Sequence, residues 1–68
     1  MISAEQASAA ATTLRQRLAP IPVVQRVDIG VDFQLSHFVR VWVTYRTREV
    51  LAHIPREVDG VQVRITNE

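Results

Sequence analysis

The sequence predicts an α+β domain: an N-terminal helix packed on one face of a three-stranded sheet, in the order helix, strand, strand, short helix, strand. Three stretches carry that reading. Residues 4–18 are rich in alanine and repeat their apolar side chains at helical spacing. Residues 37–46 alternate with period two, as a strand with two different faces does. After Asp59-Gly60, a turn signal, residues 61–66 alternate again. Sixty-eight residues make one domain, spanning 1–68, and a chain so short buries only about 60% of its unfolded surface.

Ser3 and Gln6 have the spacing of a capping box, so a helix starts at about Ala4. Its stripe is Ala7, Ala10, Ala11, Leu14 and Leu18, shallow at the start and deep at the end. Arg15 and Arg17 lie near the C-terminus, where the helix dipole favours cations. Pro20 and Pro22 stop the helix, because the residue before a proline is pushed towards extended geometry.

From Val23 to Phe33 the period is two. Val23, Gln25, Val27, Ile29, Val31 and Phe33 share one face; Val24, Arg26, Asp28, Gly30 and Asp32 share the other. Gln34–Ser36 connects this strand to the next, short enough for an antiparallel hairpin. In the second strand His37, Val39, Val41, Val43 and Tyr45 form the core face, opposite Phe38, Arg40, Trp42, Thr44 and Arg46. Val50, Leu51 and Ile54 suggest one or two helical turns within 47–54, stopped by Pro55. Val61, Val63 and Ile65 then alternate with Gln62, Arg64 and Thr66 as the last strand.

The ending Ile54-Pro55-Arg56-Glu57-Val58-Asp59-Gly60-Val61-Gln62-Val63 resembles the I/L-P-x-x-[IV]-D-G-V-x-V ending of small α/β modules in bacteria, some of which stand beside trypsin-like peptidase domains. The resemblance covers about the last 15 residues. It implies a fold and an accessory role, and its motif residues are structural: a turn, a glycine and an alternating strand.

Composition leaves little material for catalysis. There is no cysteine, which rules out disulfides and thiolate metal sites and fits a reducing compartment. Two glycines cannot build a glycine-rich phosphate loop. Ser36 and His37 are neighbours on an extended strand and point to opposite faces, which disfavours a dyad. Glu49 and His53 are i, i+4 neighbours with Glu57 near by; their plain reading is a solvated, ion-pairing surface, since a metal site needs at least three placed ligands. We therefore expect no catalytic residues, no metal and no cofactor. The longest apolar runs are three residues, far short of a signal peptide's core or a membrane helix, so a soluble, cytoplasmic protein is expected.

Net charge is +1, giving no global pull towards nucleic acid or anionic membrane. All eight basic residues are arginine, for which codon usage in a GC-rich genome is the favoured account and bidentate recognition of phosphate or carboxylate the lesser one. The informative group is the face away from the helix. There Arg26, Arg40, Arg46 and Arg64 gather around Phe38 and Trp42, with Asp28 and Asp32 opposing them. Intramolecular packing is one account, with Trp42 filling the gap over Gly30 or lying under arginine stems. A non-catalytic protein-binding or self-associating module is the favoured one, because aromatics and arginine are enriched at such interfaces. The alternative is single-stranded nucleic-acid binding by base stacking, against which stand the two aspartates and the absence of lysine.

Overall fold

The computed structural model describes residues 1–68 and starts its first helix at the capping box. The Gln6 amide donates to the Ser3 hydroxyl at 3.1 Å, and the Ser3 amide donates to the Gln6 side-chain oxygen at 2.9 Å. Helix α1 runs Ala4–Leu18, and Ala7, Ala10, Ala11, Leu14 and Leu18 are its buried residues. Small side chains in the first two turns let the helix lie close to the sheet, and the two leucines fill the wider space beyond. No helix is long and apolar enough to cross a membrane.

Four strands follow: β1 (Val24–Val31), β2 (His37–Val43), β3 (Glu57–Val58) and β4 (Val61–Asn67), with helix α2 (Arg48–His53) between β2 and β3. The sheet order is β1-β2-β4-β3. β1 and β2 form the expected antiparallel hairpin, while β2 and β4 run parallel, joined by the crossover through α2. Val39, Val41 and Val43 are wholly buried between α1 and the neighbouring Val27, Ile29, Val63 and Ile65. Val50 and Ile54 extend the same core beneath α2. One face of the sheet is thus covered, and no helix lies on the other.

The structure differs from the sequence reading at element ends. The sheet has a fourth strand, because Glu57 and Val58 fold back on Val61 and Gln62 across Asp59-Gly60. Asp59 has φ +50° and Gly60 φ +80°, so both central residues are left-handed, the geometry of a tight hairpin turn whose twist matches its strands. β1 stops at Val31 instead of Phe33, since the Asp32 carboxylate accepts the amides of Gln34 and Ser36 at 2.9 and 3.0 Å and turns the chain early. Phe33 is consequently fully exposed and not in the core. β2 stops at Val43, and Tyr45 lies outside the core. Thr47 caps α2 by accepting the Val50 amide at 3.2 Å, so the chain must leave the sheet before it.

A register shift lies between Val24 and Arg26. Val24 pairs with Val43 on the core side, Arg26 pairs with Trp42 on the other, and Gln25 is the extra residue of a bulge. This corrects the strict alternation read from Val23: Gln25 is exposed, and Val24 packs against the core.

The Asp59-Gly60 turn yields a direct test. A Cβ at Gly60 meets nothing within 4 Å, so any cost is backbone strain and not a clash. Gly60→Val is expected to destabilise by about 1–2 kcal/mol and Gly60→Asn by much less, because asparagine tolerates a positive φ and a β-branched residue does not. Urea unfolding midpoints check this; equal shifts for the two variants contradict the turn geometry.

Candidate functional site: the open face of the sheet

The register of the β1–β2 hairpin builds this face pair by pair. Arg26 stands across from Trp42, Asp28 across from Arg40, and Gly30 across from Phe38. β4 adds Arg64 next to Arg40. Directly opposed side chains in a sheet lie close enough to interact, so the sequence of each strand dictates the contacts on the face.

Asp28 is the centre of the group. Its carboxylate accepts the Trp42 indole Nε1–H at 3.1 Å and the Arg40 Nε–H at 3.2 Å. The Arg40 pair is the molecule's single ion pair, and both side chains keep contact with water, so its net stabilisation is modest. The Arg26 guanidinium lies 4.3 Å from the centre of the indole, and that of Arg40 lies 5.0 Å from it. Trp42 is therefore tethered at its nitrogen and covered by cations, while keeping part of its surface in contact with water.

Phe38 has a different role. It is only 7% exposed, although it lies on the open face. The ring lies over Gly30, where a Cβ built on the glycine would come within 2.6 Å of its Cζ. The Arg64 guanidinium covers it from outside, 4.0 Å from the ring centre. The gap left by Gly30 is thus filled by Phe38, not by Trp42: an aromatic on the neighbouring strand shields a glycine on the edge strand.

Five of the six residues expected on this face stand there together: Arg26, Phe38, Arg40, Trp42 and Arg64. Arg46 does not. It lies beyond the end of β2 and lines a concavity with Leu51, Ile54, Val63 and Ile65 on the opposite side of the sheet. The extrapolated alternation fails there because Thr47 begins a helix. Asp32 also leaves the group, as the acceptor that shapes the β1–β2 turn. The sequence reading counted Asp28 as a charge opposing the arginines and weighing against nucleic acid; the structure makes it the residue that organises the group. The signal was present, since the hairpin register places an aspartate directly opposite Arg40.

No family model, curated protein or solved structure matches this chain.

The groups considered for catalysis are engaged elsewhere or dispersed. The Ser36 hydroxyl accepts the Ile2 amide at 2.9 Å, and the His37 ring lies 3.2 Å from the Ile2 carbonyl. Both fasten the N-terminal segment to the start of β2. Glu49 and His53 are exposed on α2, Glu57 follows in β3, and no three His, Cys, Asp or Glu side chains gather to hold a metal.

Asp28 can be tested apart from function. Asp28→Ala frees the indole N–H and one guanidinium to water. It is expected to cost about 1 kcal/mol, because all three groups are partly solvated already. Emission from Trp42, the only tryptophan, shifts to the red as the ring loses its tether. Unchanged emission contradicts the hydrogen bond.

Proposed function

We propose that this protein is a non-catalytic protein-binding module whose open sheet face, centred on Trp42, takes an acidic partner. The observation that carries the reading is a partly exposed tryptophan held in place by Asp28 between the guanidinium groups of Arg26 and Arg40. A tethered, partly dry aromatic loses little conformational freedom on binding, which is the usual character of an interface hot spot. Around it stand Arg26, Arg40 and Arg64 against Asp28, with Glu57 further out beside Gln62, so the face keeps a net positive charge centred on Trp42 and favours carboxylates there. Two copies stacked face to face would bring two net-positive surfaces together, which favours a different protein as the partner of this face.

Base stacking needs an open aromatic face. Phe38 lies beneath Arg64 and the indole beneath Arg26 and Arg40, so single-stranded nucleic acid gains less support from this geometry than a protein does. The likeness of the Ile54–Val63 ending to accessory bacterial modules is in keeping with a binding role. The absence of cysteine is in keeping with a reducing compartment such as the cytoplasm.

Panning a random-peptide display library on the immobilised protein tests the proposal. Acidic peptides with an apolar anchor are expected to be enriched by the wild type and lost with Trp42→Ala or Arg40→Glu. Enrichment that is the same for all three proteins refutes it.

A further inference from the structure

We infer that two copies of this chain associate through the free edge of β1, forming one continuous eight-stranded sheet from two four-stranded sheets. This interface is separate from the face around Trp42 and leaves that face open on both copies.

β1 ends the sheet, with β2 as its only neighbour. Hydrogen bonding fixes which of its backbone groups point outwards. The Val27 carbonyl accepts Arg15 Nη2 at 2.8 Å instead of a β2 amide. The His37 amide, across from Val31, donates to Ile2, whereas the Asp32 amide donates back to Ser36 at 3.0 Å. With the alternation of an antiparallel ladder, Val27, Ile29 and Val31 therefore turn their N–H and C=O groups to the free edge. Folded proteins commonly protect such an edge with lysine, proline or inward charge. The chain has no lysine, and from Val27 to Val31 this edge has no proline; its one covering charge is Arg15, on the Val27 carbonyl. Its bulge lies at the other end, beside Val24.

Charge selects a second copy and its register. A two-fold pair centred on Ile29 bonds Ile29 to the partner's Ile29 and Val27 to the partner's Val31. It places Asp28 opposite the partner's Gly30 and Arg26 opposite the partner's Asp32, twice by symmetry. Moving the centre one residue either way sets Asp28 against the partner's Asp28 or the partner's Asp32. A centre on Val27 brings together the two arginines, Arg15 of each copy, that reach over the edge. In the Ile29 register the Val27 carbonyl keeps Arg15, since its second lone pair is available to the partner.

Shape agrees with charge. Val31 is 52% exposed and Leu35 68%, and between them Phe33 has no contact that hides it from water. In the same register this turn runs past the partner's Gln25. Beside Gln25 lies an open groove of about 340 Å³ with Leu18, Ala19, Val24 and Val27 on its floor and Arg15 and Arg26 at its rim. A space of about 150 Å³ takes a benzene ring, so the groove has room for the partner's phenyl group, with its edge against the arginine stems. With 15 of 68 residues buried, the monomer core is thin, and a second copy adds burial where the chain lacks it.

Light scattering and sedimentation over a range of concentrations test the inference. The wild type should reach twice the 7.7 kDa chain mass. Phe33→Ser and Val31→Lys should each weaken the dimer by at least about tenfold while keeping the far-UV spectrum, because both side chains are exposed in the monomer. Trp42→Ala should remain dimeric, which separates this interface from the open face. A wild type that stays at 7.7 kDa up to millimolar concentration overturns the inference. A dimer that survives Val31→Lys overturns it too, as does one that is lost with Trp42→Ala.

Discussion

Leu14→Ala is expected to lower the stability of the fold by about 2–4 kcal/mol. Leu14 is completely buried and is the first of the two leucine anchors of the α1 stripe, in one core with valines of β1 and β2. Truncation removes apolar burial and leaves a cavity that the flanking alanines cannot close, because they carry no atoms to move into it. The magnitude matters because the chain is small: at about 0.05–0.15 kcal/mol per residue a domain of this length has roughly 3–10 kcal/mol in total. The variant should be close to unfolding at ambient temperature. Gln16→Ala on the exposed side of α1 is the control, with an expected change below about 0.5 kcal/mol. Urea titrations with equal midpoint shifts for the two variants contradict the packing of α1 on the sheet.

Gly30→Val has the second largest expected effect, about 1–3 kcal/mol of destabilisation. Valine is a good strand residue, so propensity alone predicts a small gain. The opposite sign is expected here because the new Cβ would come within 2.6 Å of the Phe38 ring, and that ring cannot lift without displacing Arg64. Coupling identifies the cause. In the background of Phe38→Ala, the same Gly30→Val change should be less costly by about 1 kcal/mol or more. If the two effects simply add, the ring does not occupy the space over Gly30.

The fold was legible in the sequence wherever one periodicity ran unbroken against a single core. The α1 stripe and capping box and the valines of β2 and β4 needed no information beyond spacing, because burying one face fixes phase. Legibility was lost where side chains act on the backbone. Asp32 and Thr47 accept amide hydrogens and stop strands that alternation alone would extend to Phe33 and Arg46. The bulge at Gln25 leaves no mark in hydrophobic pattern, because valines stand on both sides of the shift. β3 is two residues long, too short to show a period. On the open face, residue types indicated the membership of the cluster, but its internal order depended on register. That order makes Phe38 a cover for Gly30, Asp28 an anchor and Trp42 the accessible aromatic.

The direct measurement for the open face is an NMR titration of the isotopically labelled protein with an acidic peptide selected on it. One tryptophan gives one indole N–H resonance, and that proton is the one held by Asp28. The account predicts that this resonance shifts on titration, together with the backbone amides of Arg26, Phe38, Arg40 and Arg64, while those of α1 stay in place. Shifts concentrated on α1 or α2, with the indole signal unmoved at saturation, contradict it.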